Sequence, residues 1–392
     1  MNSDAGVSLR KAEMYDLLII GAGPAGISAA YEAKKAGLDY VVIEKGLIGN
    51  TVYNYPVGLT VFSTTNELEF SPGDLKPARE KPTREELLSY YVRFVLDNEL
   101  KVRTEEEVKR VERLNAEEEF PAKTQRRKDE AAGDRISGEF STAETQSRKG
   151  QNHLRERVQP MIDSNQNFRV ITDKAEYTAR NVLFAIGAMD HPRKLNVRGE
   201  DLPKVHDHFR ETYPWVRKRA LIVGGGNSAG EAALFLAEEG ADTTLAIFRS
   251  DWENNDPKQG CIKYWVKKPL EEGLKNHCLK LFFLGRVVEI REREVELEGE
   301  DGQRAVIPND VVFILIGSDA DLTMMKNLGV ETEAGKYGEV PVYDAETYET
   351  NVPGIYVAGH FTNERHIKGA IGAGRALVPG IKERLATKTQ KT

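Results

Sequence analysis

Short apolar runs, each followed by a glycine-rich turn and a helix-like stretch, organise the first part of the chain. Leu17–Ile20 is such a run, and the glycine-rich residues 21–26 follow it at once. Residues 27–36 then have the spacing of an amphipathic helix, and residues 40–44 form a second apolar run that ends in an acid. This order predicts strand, tight turn, helix and strand, which together make a βαβ unit.

The same pattern recurs in the middle of the chain. Residues 219–223 predict a strand, residues 224–230 a glycine turn, residues 231–239 a helix and residues 244–248 a second strand. Residues 311–316 are expected to close this second unit. Residues 355–358 resemble a last strand of the first unit, so the second unit is predicted to lie inside the first.

Several further elements have recognisable boundaries. A capping box at residues 83–86, Thr-Arg-Glu-Glu, predicts a helix that continues to Val95. Residues 181–188 predict a buried strand that ends in small residues. The final segment, 368–385, is expected to be helical apart from its glycines and Pro379.

Residues 116–166 are almost entirely polar or charged and have no apolar periodicity. Strand-like alternation flanks them at residues 102–114 and 168–179, which predicts an insertion at the tip of an antiparallel excursion. Two interpretations stay open: a solvated surface loop, or a charged segment that docks a partner.

These elements predict an α/β fold with two Rossmann-like dinucleotide-binding domains, the second inserted into the first. The first domain is expected to consist of residues 1–191 and 314–392, and the second of residues 192–313.

Composition and charge narrow the function classes. The 392 residues are 40% hydrophobic and 30% charged, and 55 Lys+Arg against 62 Asp+Glu give a net charge of −7, which disfavours a nucleic-acid partner. No apolar run is long enough for a membrane span or a secretory signal, so a cytoplasmic protein is expected. The two cysteines cannot build a disulfide framework and match no zinc pattern, so no metal is expected.

The first glycine loop has the spacing of a dinucleotide-binding fingerprint. Gly21 would turn the chain, Gly23 would let the backbone approach a pyrophosphate, and Gly26 would let helix and strand pack closely. Glu44 lies roughly 20 residues further on, where an acid that binds ribose is expected.

The second loop has Gly224, Gly226 and Ala229 in the three positions of the fingerprint. The residues after its second strand are Arg249 and Ser250, where an NAD-specific site would have an acid. An arginine there can pair with a 2′-phosphate, which favours NADPH, although the nearby Asp251 keeps NADH open. Two lysines are candidates for adding charge to the phosphate site, Lys263 and, more weakly, Lys267; the alternative for each, as a lone lysine, is an ordinary surface residue.

Two dinucleotide folds in one chain are typical of a flavoprotein that moves a hydride from a nicotinamide to a flavin. The first loop is therefore expected to hold FAD and the second NADPH.

Five motifs resemble those of the low-molecular-weight thioredoxin reductase-like flavoproteins across nearly the whole chain. They are residues 21–26 with Glu44, residues 184–187, residues 224–229, residues 313–317 and residues 350–359. Within that group, residues 44–46, 53–56, 61–65 and 262–265 most resemble bacillithiol disulfide reductases.

The resemblance implies a set of cofactor-binding residues and a homodimer. For FAD it implies Gly21, Gly23, Pro24, Ala25, Gly26, Glu44, Lys45, Tyr53, Asn54, Tyr55, Phe62, Ser63, Gly187, Gly359, His360 and Lys368. For NADPH the expected residues are Gly224, Gly226, Asn227, Ser228, Ala229, Arg249, Ser250 and Lys263.

Three departures from the family pattern concern the transfer of electrons to the acceptor. No cysteine pair precedes the second loop, so a dithiol relay of the thioredoxin reductase kind is excluded at that position. Bacillithiol disulfide reductases typically have a cysteine in the first loop, where this chain has Ala25. The usual aspartate after the last strand is His360.

Catalytic residues are not identified by the sequence. His360, His366 and Lys368 are weak candidates for a group near the flavin that donates a proton or stabilises charge. Cys261 and Cys278 are weaker candidates for a redox role. His206 and His208 lie loosely where flavin monooxygenases have a histidine, but are expected to be surface or linker residues.

The sequence thus predicts an NADPH-dependent FAD oxidoreductase that passes electrons to a small-molecule disulfide or a redox protein, like a bacillithiol disulfide reductase or thioredoxin reductase. The alternatives are a ferredoxin- or flavodoxin-NADP reductase, a flavin monooxygenase, and a flavin redox sensor that does not turn over.

Overall fold

The structure is a computed structural model that describes residues 14–114, 167–256, 262–335, 338–364 and 366–389. The predicted insertion at 116–166 and Cys261 lie outside these ranges.

The strands, in chain order, are β1 (Met14–Tyr15), β2 (Leu17–Ile20), β3 (Tyr40–Ile43), β4 (Val102–Arg103), β5 (Val108–Leu114), β6 (Asn167–Thr172), β7 (Glu176–Ala179), β8 (Val182–Phe184), β9 (His191–Pro192), β10 (Val205–His206), β11 (Arg219–Val223), β12 (Asp242–Ile247), β13 (Leu279–Ile290), β14 (Glu294–Gly299), β15 (Arg304–Pro308), β16 (Val311–Ile314), β17 (Ser318–Asp319), β18 (Thr332–Gly335), β19 (Gly338–Pro341) and β20 (Ile355–Val357). The α-helices are α1 (Pro24–Ala36), α2 (Asn50–Tyr53), α3 (Thr65–Leu68), α4 (Arg84–Asp97), α5 (Asn227–Glu238), α6 (Arg249–Glu253), α7 (Tyr264–Lys275), α8 (Thr323–Asn327) and α9 (Ile367–Thr389). A short 3-10 helix spans Tyr213–Trp215.

A five-stranded parallel sheet, in the order β20-β8-β2-β3-β4, forms the centre of the first unit. All four residues of β2 are buried, because both faces of this sheet are covered. Leu17 and Ile19 belong to one apolar cluster and Leu18 and Ile20 to another on the opposite face. The predicted last strand of the first unit, now β20, is confirmed beside β8.

A second, four-stranded sheet of the first unit has the order β1-β7-β6-β5. Strands β5 and β6 are antiparallel, and their register ends with Leu114 opposite Asn167. The strands on either side of the polar segment therefore pair with each other, as the alternation predicted.

The second unit is built on a seven-stranded sheet in the order β10-β16-β11-β12-β13-β14-β15. The strands from β10 to β13 are parallel, and β13, β14 and β15 continue as an antiparallel meander. Alternate residues of β11 again belong to clusters on opposite faces, Ile222 to one and Leu221 to the other. The whole sheet lies in the chain between β8 and β20, so the second unit is inserted into the first.

The chain passes between the two units twice, and the two connecting segments, or crossings, pair with each other. The outgoing crossing contains β9 and the returning crossing contains β17, and these form a two-stranded antiparallel ribbon. The Arg193 backbone N–H donates to the Gly317 carbonyl oxygen at 2.9 Å, and the Arg193 guanidinium donates to both carboxylate oxygens of Asp319.

The C-terminal helix differs from its prediction. Helix α9 is continuous through Pro379 and its glycines. It packs along α1, and the Ser28 hydroxyl donates to the Ile371 carbonyl oxygen at 2.8 Å. The glycine at 374 is where the two helices approach most tightly, since a Cβ atom there would lie 2.2 Å from the Ala25 carbonyl oxygen. The sequence prediction that the glycines and Pro379 interrupt the helix was wrong: the helix continues through them, and Gly374 serves the packing against α1 rather than a turn.

In the described ranges, no helix has the length and apolar character that a membrane span requires.

Candidate functional site

The first glycine loop joins the end of β2 to the start of α1. Gly21 has a φ of +110°, and a Cβ atom there would lie 2.4 Å from the Ala185 carbonyl oxygen. A Cβ atom at Gly26 would lie 1.9 Å from the Gly21 carbonyl oxygen. At Gly23 a Cβ atom would meet nothing within 4 Å. The first and third glycines are therefore required by the protein's own packing, whereas the second faces open space.

Glu44 follows β3, and its carboxylate is hydrogen-bonded to the backbone of this loop. Its Oε2 accepts the Ala22 backbone N–H at 2.7 Å, and its Oε1 accepts the Gly46 backbone N–H at 2.7 Å. The carboxyl group is buried, and this burial, partly offset by the two N–H donors, raises its pKa. Each oxygen keeps a lone pair that can accept a further hydroxyl group, such as one from a ribose.

The loop and Glu44 border a cavity of about 440 Å³. The cavity extends from Glu106 and Val108, near the four-stranded sheet, to the start of α9. The predicted FAD residues that line it are Gly21, Gly23, Pro24, Ala25, Glu44, Lys45, Tyr55, Gly187, Gly359 and His360. Lys45 also forms an ion pair with Asp190 across the cavity wall at 2.8 Å.

Other predicted FAD residues lie outside the lining of this cavity. Gly26 lies beneath the loop, and Asn54 caps the C-terminus of α2. The Tyr53 ring stacks against the Arg210 guanidinium at 4.3 Å, and the hydrogen bond with Arg210 lowers the pKa of its phenol. Phe62, followed by the half-buried Ser63, packs against Trp265 of the second unit with 5.3 Å between ring centroids. Tyr53 and Phe62 therefore contact the second unit.

Of the three weak catalytic candidates, the structure places two in the cavity lining and one at the surface. His360 and His366 both line the cavity, His366 just before α9 begins. Lys368 is largely exposed, and its ammonium lies 3.9 Å from the Glu67 carboxylate. Ala25 is buried in the cavity wall and presents no side chain that could exchange with a disulfide.

The second glycine loop repeats the geometry of the first. A Cβ atom at Gly224 would lie 2.3 Å from the Leu315 carbonyl oxygen, and a Cβ atom at Gly226 would meet nothing within 4 Å. Ala229 is fully buried and Ser228 is exposed at the start of α5. The Asn227 Oδ1 accepts the Lys263 backbone N–H at 2.8 Å, which joins α5 to the start of α7.

Arg249 lies just after β12, where the sequence predicted it, and is the first residue of α6; its side chain is partly exposed, and the exposed Ser250 follows. Its Nε donates to Glu300 at 2.9 Å, and its guanidinium lies 3.7 Å from the centroid of the Phe283 ring. Lys267 has a different role from the predicted one. It is buried, and its ammonium donates to the Trp252 carbonyl and the Asn255 side chain, so it is not available to a phosphate.

Glu231 is a buried acid near the cavity residue Tyr55 that the sequence did not predict. It lies in the second turn of α5 and is buried, and its Oε1 has no hydrogen-bond partner among the described residues. Burial raises its pKa to about 7. Its charge also contributes to the raised pKa of Tyr55, which lines the cavity in the first unit. A charged residue within the apolar run Ala229–Leu236 of α5 was the only sequence signal.

The other sulfur and imidazole candidates lie away from the cavity lining. Cys278 is exposed, and its Sγ donates to the Gly273 carbonyl oxygen at 3.3 Å. His208 is exposed beside Asp207. The His206 ring packs between Trp215 and Phe313, and burial lowers its pKa.

The two loops fit two dinucleotides. In each, the middle glycine faces open space at the N-terminus of a long helix, where free backbone N–H groups bind phosphate. Glu44 supplies acceptors for ribose hydroxyls, and the unpartnered Glu231 oxygen offers an acceptor or donor to a bound group. When bound, FAD and NADPH supply hydride chemistry between a nicotinamide and a flavin. The protein's own residues bind and orient these groups and limit access to them.

Comparison with known proteins gives one family and several relatives. The family model described as pyridine nucleotide-disulphide oxidoreductase matches residues 18–154 and 139–359. The bacilliredoxin reductase Bdr of Bacillus subtilis is 32% identical over 346 residues, which are 87% of this chain and 88% of that protein. A ferredoxin–NADP reductase of Ignicoccus hospitalis is 27% identical over 89% of this chain and 90% of that protein.

A solved structure of similar shape is the bacillithiol disulfide reductase Bdr of Staphylococcus aureus. It aligns with a TM-score of 0.76 and 29% identity, covering 96% of this chain and 99% of that chain. The residues that the family model matches include both glycine loops. The chain belongs to the pyridine nucleotide-disulphide oxidoreductase family.

Proposed function

We propose that this chain is an NADPH-dependent reductase that holds FAD in the first unit and reduces a small-molecule disulfide. Family membership makes it an oxidoreductase that uses FAD and NADPH. The observation that carries the proposal is the pair of glycine loops, each with an open middle glycine at a helix N-terminus. The disulfide substrate is supported by the similarity to Bdr proteins, whose names specify bacilliredoxin and bacillithiol disulfide.

The proposal assigns the predicted residues as follows. The FAD pyrophosphate would lie against Gly23 and the N-terminus of α1, and the ribose would bind Glu44. The NADPH pyrophosphate would lie against Gly226, with its 2′-phosphate at Arg249. The FAD-binding domain would consist of residues 1–191 and 314–392, and the NADPH-binding domain of residues 192–313. A homodimer and a cytoplasmic location stay predictions.

Ala25 favours direct transfer from the flavin to the acceptor. The residue lies in the cavity wall and has no thiol, and Cys278, the cysteine within the described ranges, is at the surface. A mixed disulfide with the protein would need a thiolate beside the flavin. The acceptor would therefore have to reach the flavin edge itself.

The same observation favours a second candidate, a ferredoxin–NADP reductase, because electron transfer to a redox protein needs no cysteine. The relative from Ignicoccus hospitalis carries that name and aligns over nearly the whole chain.

Anaerobic stopped-flow spectroscopy of the FAD-loaded enzyme tests both candidates. NADPH should bleach the flavin, and bacillithiol disulfide should restore the oxidised spectrum with two thiols formed per NADPH consumed. Glutathione disulfide, oxidised bacilliredoxin, ferredoxin and flavodoxin serve as the comparison acceptors. Reoxidation by ferredoxin or flavodoxin, with neither reoxidation nor thiol formation when a disulfide is the acceptor, would contradict the disulfide proposal and support the second candidate.

A further inference from the structure

Two carboxylates contact the Arg249 guanidinium, and they do so in different ways. Glu300, at the turn between β14 and β15, accepts the Arg249 backbone N–H at 2.7 Å and Nε–H at 2.9 Å. Glu253, one helical turn along α6, lies 3.4 Å from Nη1. The two contacts are on different edges of the same guanidinium group.

Glu300 binds Arg249 at both its backbone and its side chain. Its two oxygens bind the backbone and the Nε of the same residue, which fixes the start of the side chain and the plane of the guanidinium together. The Phe283 ring, 3.7 Å away, supports the face of that plane. With Nε taken, the edge formed by Nη1 and Nη2 is the one that points onward, and this edge suits the bidentate binding of a phosphate.

Glu253 makes the weaker contact. Its single bond is long, its side chain is 61% exposed against 32% for Glu300, and the pair is an i,i+4 contact on the surface of a short helix. Such exposed pairs contribute little free energy, so a dianionic group can replace the carboxylate at Nη1 at small cost. The other acid of this helix, Asp251, lies against the glycine loop instead, with Oδ2 2.2 Å from where a Cβ atom of Gly225 would be.

We propose that Glu300 is a positioning residue that aims Arg249 at the 2′-phosphate of NADPH, and that Glu253 is a counter-ion that the phosphate displaces. This inference rests on the proposed function, in which Arg249 binds that phosphate. It predicts that the two acids have opposite effects on the selectivity for NADPH over NADH, although they have the same charge and contact the same arginine.

A purely electrostatic view makes a different prediction. Both acids lie near a site for a dianion, so removal of either negative charge would tighten the binding of the 2′-phosphate. Glu300→Ala and Glu253→Ala remove the same group and the same charge, and therefore form a matched pair. The sign of the effect at position 300 distinguishes positioning from charge alone.

The test is calorimetric titration of the FAD-loaded enzyme with adenosine 2′,5′-bisphosphate and, as the control ligand, adenosine 5′-monophosphate. Glu300→Ala should weaken binding of the bisphosphate about 5- to 20-fold, the range for loss of charge-assisted hydrogen bonds. Glu253→Ala should tighten it about two- to threefold, as expected for an exposed pair. Binding of the monophosphate should stay within about twofold in both variants, since neither acid is assigned to it.

Arg249→Ala and the double variant Arg249→Ala/Glu300→Ala test two claims separately: that Arg249 binds the 2′-phosphate, and that Glu300 positions Arg249. If Arg249→Ala weakens both ligands equally, the 2′-phosphate assignment itself fails. If it weakens only the bisphosphate while Glu300→Ala leaves that ligand unchanged or tighter, the assignment holds and the positioning role is refuted. Support requires that Glu300→Ala have no further effect once Arg249 is gone. Unchanged flavin content and far-ultraviolet circular dichroism establish that each variant is folded.

Discussion

The carboxyl group of Glu231 titrates inside the protein. Burial raises its pKa from 4.5 to about 7, so the folded state binds more protons than the unfolded state between these values. The free energy of unfolding therefore falls as the pH rises from about 4.5 to about 7, and the whole contribution is lost above that. Glu231→Gln removes this dependence and should increase stability at pH 8 on the order of 1–3 kcal/mol relative to the native chain.

Urea unfolding of the FAD-loaded protein at pH 5 and pH 8 measures this effect. The control is Glu238→Gln, which changes an exposed acid on the same helix and should leave the pH dependence as it is. An equal change in stability at both pH values would mean that Glu231 is not held neutral by burial.

The roles of some residues can be predicted from the sequence, whereas those of others depend on contacts between distant parts of the chain. Gly21, Gly23 and Glu44 could be assigned roles because their function follows from local spacing along one strand–turn–helix unit. The buried state of Glu231 could not, since it depends on how α5 packs in the assembled protein. The pairing of Arg249 with Glu300 joins the first residue of α6 to the turn between β14 and β15, and no pattern along the chain contains that contact.

At the scale of elements, α9 packs against α1, the helix that begins at the first glycine loop. A Cβ atom at Gly374 would lie 2.2 Å from the Ala25 carbonyl oxygen and 3.1 Å from the Ala29 nitrogen, both of which are backbone atoms. Gly374→Ala should force the helices apart, lower stability by about 1–3 kcal/mol and reduce FAD content, because Ala25 lines the cavity.

Gly372→Ala is the matched control on the same helix. A Cβ atom there meets nothing within 4 Å, so this variant should gain about 0.5–1 kcal/mol from better helix propensity and bind FAD normally. Thermal unfolding and the flavin-to-protein absorbance ratio measure both variants. Similar behaviour of the two would show that helix propensity, rather than the close approach to α1, decides the result.

Most elements were predictable because their apolar period is local. The two βαβ units and the capped helix α4 were all identified from spacing and caps, and the capping box at Thr83 and Glu86 is present. The continuity of α9 was not predictable. Its glycines and Pro379 disfavour a helix by propensity, and the close approach to α1 that requires Gly374 is a contact between distant parts of the chain.

At the scale of the whole molecule, the polar segment between β5 and β6 can be tested by removal. Leu114 and Asn167 are direct partners at the end of the hairpin. Replacing residues 115–166 by Asn-Gly should therefore close β5 and β6 with a two-residue turn. FAD content and the rate of flavin reduction by NADPH should stay within about twofold of the native chain, since the entropic cost of closing a connection between two strands changes slowly with its length.

The shortened chain also separates the two interpretations of this segment. If it reduces small disulfides and protein acceptors as the native chain does, the segment is a surface loop. If the rate with one protein acceptor falls while small-molecule turnover is kept, the segment docks that partner. Loss of bound FAD would contradict the prediction that the hairpin closes without it.

The ribbon of β9 and β17 constrains how the two units can move. An inserted unit is tethered twice, and two independent tethers would let it slide, twist and tilt. Here the tethers are hydrogen-bonded to each other and fastened by Arg193 and Asp319, so they act as one pivot. We therefore expect the second unit, when it moves relative to the first, to rotate about this ribbon rather than to slide past the first unit.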